Sequence, residues 1–262
     1  MTLELGGDII STNLGFSDPG ADGRDIMIIG ILQPGYLPWL GFFEQMYRCD
    51  LFVLYDDVQY DKEGWRNRNR IKTANGVQWL SVPVLMKFSD HPLITDIQIN
   101  NEVNWRKKHF ASIKQNYGKA PFFKDYEGLF EEGYSRDWNF LVDLDLYFIM
   151  RLAECLGMKG KRILRSSDLP VKGERIERLI HLCKHFGADM FYEGAAGRNY
   201  IDEKAFLKEG VRVEFQDYEH PIYSQLYGEF ISHLSVIDLL LNHGRKSLTI
   251  LTNQDKGRVS NP

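Results

Sequence analysis

Apolar positions along the chain fall into two patterns, short unbroken runs and longer stretches with helical spacing. Ile26–Leu32 (IMIIGIL) and Leu51–Tyr55 (LFVLY) are continuous apolar runs, as expected of strands covered on both faces of a parallel sheet. Between them, Gln33-Pro34-Gly35-Tyr36-Leu37-Pro38 must form a loop, because two prolines and a glycine interrupt regular structure. Trp39–Arg48 reads as a helix. A strand, loop, helix and strand in that order predict a right-handed crossover between parallel strands.

The pattern changes after Asp56-Asp57. Val58–Lys72 is polar and rich in Arg and Asn, and Val77–Val84 is a third strand candidate. Residues 86–101 read as loop with a short strand at Ile94–Ile99. Helical spacing then covers about 103–116, about 123–134 and 138–156; Phe140, Leu141, Leu144, Phe148 and Leu152 line one face of the last. Alternation resumes with a strand at Lys161–Ser166, a helix at Gly173–Phe186 and a strand at Met190–Glu193. A helix at Tyr200–Lys208, a strand at Val211–Tyr218 and a helix at Val236–Asn242 complete it. The prediction is an α/β fold: a mostly parallel, Rossmann-like sheet flanked by helices, with a helical insertion. Residues 1–25 read as a flexible extension, 26–245 as one domain and 246–262 as a polar, frayed tail.

Composition narrows the function classes. The 262 residues carry a net charge of −4, against the basic surplus that general nucleic-acid binding requires. Three scattered cysteines, Cys49, Cys155 and Cys183, without a CxxC pair suit a reducing compartment. No stretch approaches the roughly 18 consecutive apolar residues of a membrane span. The first residues lack the basic start and apolar run of a signal peptide. A cytoplasmic location is expected.

Candidate chemistry concentrates between residues 33 and 70. The Gln33–Pro38 loop leaves the carboxyl end of the first strand, where ligands sit in open α/β sheets, with Tyr36 and Trp39 expected beside the opening. Asp56 and Asp57 close the second strand; on a strand their side chains point to opposite faces. One could orient an amine or hold Mg²⁺ while the other caps a loop. In Trp65-Arg66-Asn67-Arg68-Asn69-Arg70, an extended backbone would place three guanidiniums on one side and two amides on the other. Asp61 to Lys72 holds five basic and two acidic residues, a net +3 in an acidic chain. Arg grips phosphate or carboxylate through its planar fork, so the block reads as an anion clamp; a salt-bridged structural element is the other reading. Ser166-Ser167 follows a strand and either caps a helix or touches a ligand. His181 and His185, four apart on a helix, read as ordinary surface or core histidines. Glu193-Gly194-Ala195-Ala196-Gly197 is glycine-rich but lacks a phosphate-loop motif.

Ile31–Phe43 resembles the QPxxxPxxGxF opening of the WbqC-like protein family. Asp56-Asp57-Val58-Gln59-Tyr60 and Trp65–Arg70 are similar to its DDVQ and WxNRNRI blocks. Looser matches run through Arg165-Ser166-Ser167 to Ser235–Asp238. The resemblance implies an acyl- or aminoacyl-transferring (glycine-type) enzyme, a transferase or amide-forming ligase acting on an amino sugar in bacterial surface-polysaccharide assembly. Under it, Arg66, Arg68 and Arg70 with Asn67, Asn69 and Gln59 would surround a nucleotide-sugar phosphate or ATP. Trp65 and Tyr36 would stack on base or sugar, and Asp57, beside Asp56, would orient or deprotonate the amine. As a general base, Asp57 would need a raised pKa. Whether ATP and Mg²⁺ take part stays open, as does the oligomeric state. A remoter likeness is to the nucleotidylyltransferase-like fold. There Pro38-Trp39-Leu40-Gly41 stands in place of an HxGH-type loop, and Arg68 or Arg70 would replace its positive charge. The alternative is a non-catalytic protein that binds a nucleotide or sugar phosphate for a biosynthetic partner.

Overall fold

The computed structural model of the chain describes residues 26–85 and 91–253. The expected 1–25 extension, residues 86–90 of the expected loop and the end of the expected tail lie outside the described residues.

The apolar runs form the centre of a parallel sheet. Its strands are β1 (Ile28–Leu32), β2 (Leu51–Leu54), β7 (Arg162–Arg165), β8 (Met190–Glu193) and β9 (Arg212–Phe215), in the order β7-β2-β1-β8-β9. All four pairings are parallel, with Leu32 beside Leu54, Leu54 beside Arg165, Gly30 beside Tyr192 and Glu193 beside Phe215. The carboxyl ends of all five strands therefore share one edge. Helices cover both faces, which is why β1 and β2 are apolar without alternation. On one face α5 (Arg175–His185) and α6 (Glu203–Lys208) pack Leu182, Cys183 and Phe206 over Ile29, Val53 and Phe191. On the other, α1 (Leu40–Arg48), α4 (Leu141–Cys155) and α7 (Val236–His243) bring Phe43, Phe148 and Leu240 over Phe52 and Leu54.

The long connection between β2 and β7 carries the insertion. It contains an antiparallel hairpin, β3 (Arg68–Thr73) with β4 (Gly76–Ser81), and a short pair, β5 (Val84–Leu85) with β6 (Gln98–Ile99). Helices α2 (Trp105–Tyr117), α3 (Phe123–Ser135) and α4 follow.

Three expected elements differ. The strand expected at Val77–Val84 breaks after Ser81, because Pro83 has no N–H for a ladder and the Val82 N–H goes instead to the Asn67 carbonyl (2.8 Å). Of Ile94–Ile99, the first half winds into a 3-10 turn, Ile94–Asp96, and only Gln98–Ile99 is strand. The chain after Arg245 does not fray at once: Ser247–Leu251 forms α8, which packs on α1 with Leu251 fully buried. Leu248, Ile250 and Leu251 supply an apolar face that a polar-tail reading overlooks.

Candidate functional site

At the end of β2, Asp56 is 0% exposed and fully engaged. Its carboxylate accepts from Arg165 Nε (2.7 Å), Ser166 Oγ (3.2 Å), Ser167 N (3.0 Å) and Ser167 Oγ (3.0 Å). Parallel pairing of β2 with β7 makes this contact, setting Leu54 against Arg165 so that the next residues of both strands meet. Asp57 turns the other way, towards α5, where it pairs with Arg178 and accepts from Ser166 Oγ (2.5 Å). Burial pushes the Asp57 carboxyl up, but the hydrogen bonds from Arg178 and Ser166 outweigh it and hold the group below its ordinary value. The raised pKa required of a general base at Asp57 is thus not met. Ser166 and Ser167 hold the aspartates, with Ser166 itself buried.

The loop leaving β1 is held by the Arg/Asn block. Arg66 Nη1 donates to the carbonyls of Gln33 (2.9 Å) and Pro34 (3.0 Å), and the Tyr36 N–H returns a bond to the Arg66 carbonyl (2.9 Å). A β-carbon on Gly35 would lie 2.9 Å from the Trp65 carbonyl oxygen, so only glycine lets the two segments approach this closely. Leu37 adopts a left-handed φ of 46°, and Asn69 Nδ2 donates to its carbonyl (2.8 Å). Asn67 Nδ2 donates to the Val82 carbonyl (2.8 Å). Both amides serve the backbone.

The expectation of three aligned guanidiniums is therefore corrected. Arg66 precedes β3 and turns inward, where desolvation lowers its pKa. Arg68 and Arg70 share the outer face of the hairpin. Arg70 lies over Trp65 (5.3 Å to the ring centroid) and Trp79 (5.9 Å), and Arg68 over Trp79 (5.3 Å). The two indoles, 44% and 45% exposed with centroids 5.0 Å apart, form an open cationic and aromatic platform.

Tyr36 is also corrected. It is 0% exposed, so it does not stand beside an opening. Its hydroxyl bonds to the Tyr134 hydroxyl and to His109 Nδ1 (2.9 Å). Apolar neighbours such as Phe148 surround the ring and draw it into the core. Trp39 is half-buried and stacks on His233 (5.4 Å) with Tyr218 edge-on (5.7 Å). Gln59 is exposed and paired with His91 (2.9 Å).

On the other side of β1, β8 ends in Glu193, 5% exposed. Tyr200 donates to its Oε1 (2.8 Å), and a β-carbon on Gly197 would overlap its side chain. Burial raises the Glu193 carboxyl to about 7, against the smaller opposing effect of hydrogen bonds from Tyr200 and the Gly194 amide. Glu193, Arg165 and Arg178 were not singled out as site residues from sequence. Arg165 precedes Ser166-Ser167 and could have been read with them. Nothing local marks Arg178, which meets Asp57 across 121 positions. Glu193 heads the glycine-rich Glu193–Gly197 segment noted in the sequence, and its contacts with Gly197 and Tyr200 are local.

Fold and site define an α/β protein with a five-stranded parallel sheet and a polar cluster along its carboxyl edge. The chain belongs to the WbqC-like protein family, whose model matches residues 33–250. It is 34% identical over 221 residues to the uncharacterized protein Rv1507c of Mycobacterium tuberculosis, covering 84% of this chain and 95% of the relative. No solved structure matches it.

Proposed function

We propose that the chain is a cytoplasmic acyl- or aminoacyl-transferring enzyme acting on the amine of a sugar linked to a nucleotide, in bacterial surface-polysaccharide assembly. The observation that carries the reading is Glu193, a buried carboxyl poised near neutrality at the carboxyl end of β8. Counted by order along the chain, the sheet runs 3-2-1-4-5. Its order therefore reverses between β1 and β8, the crevice where ligands bind in doubly wound sheets. With strands about 4.8 Å apart, the ends of β8 and β2 are roughly 10 Å apart, the span of a sugar and its reacting groups.

Acyl transfer to an amine needs one proton removed and charge held in place. The amine nitrogen attacks the acyl carbonyl, the new C–N bond forms and the bond to the leaving group breaks. Glu193 accepts the amine proton and passes it to the departing group, a task suited to a carboxyl that titrates near 7. Asp57, ionised and fixed by Arg178, orients the amine and takes no proton. The Trp65–Trp79 platform with Arg68 and Arg70 offers a stacking surface and positive charge for the nucleotide end, and Arg66 ties the residues before the hairpin to the loop leaving β1.

The test is turnover. Purified protein with UDP- or dTDP-linked amino sugars and an activated acyl or aminoacyl donor should give a product heavier by the acyl group in mass spectrometry. Glu193→Gln should bind the sugar nucleotide as tightly as the natural chain while losing at least about a hundredfold in turnover. Sugar-nucleotide binding without product across a broad donor panel would replace the enzyme with a binding protein.

A further inference from the structure

The nearly enclosed carboxyl of Glu193 is held by a side chain that is itself largely exposed. Past Glu193 the chain winds into a 3-10 turn, Ala195–Asn199, and the N–H groups of Tyr200 (3.0 Å) and Ile201 (2.8 Å) both donate to the Gly197 carbonyl. Tyr200 is 56% exposed, yet its hydroxyl donates to Oε1 of a carboxyl that is only 5% exposed (2.8 Å). Burial and the adjacent carboxyl raise the pKa of that hydroxyl, so it stays protonated and donates. The other neighbours belong to fixed parts of the fold. A β-carbon on Gly197 would lie 2.3 Å from Glu193 Cγ and 3.1 Å from the Phe215 ring, so backbone and β9 close that side. Cys183, buried on α5, lies within electrostatic reach of the carboxyl, and Arg198 lies over Phe215 (4.9 Å to the ring centroid). Among the described residues no cation pairs with Glu193, and its one side-chain hydrogen bond comes from Tyr200.

We propose that Tyr200 is a positioning residue for Glu193: its hydroxyl aims the carboxyl by holding Oε1, and its ring is the movable cover that an incoming amine displaces. An exposed side chain beside a short turn swings aside at little cost, whereas Phe215, Cys183 and the Gly197 backbone move only with the sheet or α5. One side chain then acts on the carboxyl in two opposed ways. The hydroxyl favours the ionised form by hydrogen bonding, and the ring disfavours it by excluding water. The inference rests on the reading of Glu193 as the group that takes the amine proton, but its test needs no turnover.

The test is a titration of Glu193 in the full chain, carrying carbon-13 in its glutamate carboxyls and followed by NMR; the signal is identified by its loss in Glu193→Gln. Tyr200→Phe keeps the ring and removes the hydroxyl, so the Glu193 midpoint should move above that of the natural chain. Tyr200→Ala removes the cover as well, and because burial is the larger effect on this carboxyl the midpoint should move below it. Midpoints that stay in place, or that move the same way in both variants, would overturn the proposal. So would a chain that unfolds on Tyr200→Ala, since a ring that cannot be removed is a wall and not a cover. Opposite shifts without turnover in the assay above would keep the cover over Glu193 and remove the enzyme reading; turnover with unmoved midpoints would do the reverse.

Discussion

Arg66 donates from one guanidinium nitrogen to two successive carbonyls, those of Gln33 and Pro34, at 2.9 and 3.0 Å. A residue just ahead of the β3–β4 hairpin thereby fixes the exit of the central strand. The hairpin with its aromatic platform and the carboxyl edge of the sheet are held as one unit. Charge-assisted bonds to backbone carbonyls are worth about 1.5–3 kcal/mol each. Arg66→Ala should lower stability by about 2–4 kcal/mol in urea unfolding. Arg66→Lys should recover only part of this, because a point charge cannot reproduce the planar fork. A loss below about 0.5 kcal/mol in the alanine variant would show that the loop is held by other contacts.

Asp56 is the most heavily bonded carboxylate at the edge, and Asp56→Ala would leave Arg165, Ser166 and Ser167 facing a void. The expected loss is about 3–5 kcal/mol. Asp57→Asn should cost less, since its partner Arg178 keeps some contact with water. The pH dependence of Asp57 follows from its depressed folded pKa: the stabilisation is present above the unfolded value and disappears as pH falls through the folded one. The stability gap between the natural chain and Asp57→Asn should accordingly be widest near neutral pH and close as pH falls, a comparison read by urea unfolding followed by circular dichroism.

Glu193 behaves in the opposite sense. Its folded pKa of about 7 lies above the ordinary 4.5, so between these values the folded chain binds more protons than the unfolded one. The contribution of this group to stability is full below about pH 4.5 and is lost as pH rises through 7, amounting to at most about 3 kcal/mol. Glu193→Gln should be more stable than the natural chain at pH 8 and equal to it at pH 4.5. In the enzyme reading, turnover should rise with pH around a midpoint near 7. Parallel stability curves for the two proteins would mean that Glu193 is ionised throughout.

Tyr36 links Tyr134 to His109 inside the core, and burial keeps His109 neutral by pushing its pKa down to about 4. Tyr36→Phe preserves volume but strands the His109 Nδ1 acceptor and the Tyr134 hydroxyl. We expect a loss of about 1–3 kcal/mol in denaturant titration with no change in ligand affinity. Weaker ligand binding at unchanged stability would return Tyr36 to the binding site.

The exposed platform should show the reverse signature. Trp79→Ala and Arg68→Ala should change stability by less than about 1 kcal/mol, since Trp79 is nearly half exposed and Arg68 bonds to backbone carbonyls at the surface. Each should weaken sugar-nucleotide binding severalfold in fluorescence titration. Unchanged affinity in both variants would remove the platform from the ligand's path.

Much of this architecture is legible in the chain. The apolar runs around Ile29 and Val53 could only be strands covered on both faces. The prolines flanking Tyr36 could only be a loop, and the blocks from Gln33 to Arg70 identify the family. Local pattern determined these because periodicity and backbone restriction act within a few residues. What each polar side chain does was decided elsewhere. Arg66 and Arg68 are two apart in one motif, yet one turns inward to backbone carbonyls and the other lies over an indole on the outer face of the hairpin. Tyr36 looks like a ligand-facing ring until α2 and α3 close over it. The raised carboxyl of Glu193 depends on burial, and the pairing of Asp57 with Arg178 on two charges brought together across 121 positions. The sequence alone determined where the strands and the loop leaving β1 lie, because those follow from apolar spacing and proline geometry. Only tertiary structure decided which groups are desolvated, paired or left open, because the electrostatic environment of a side chain is set by what folds around it.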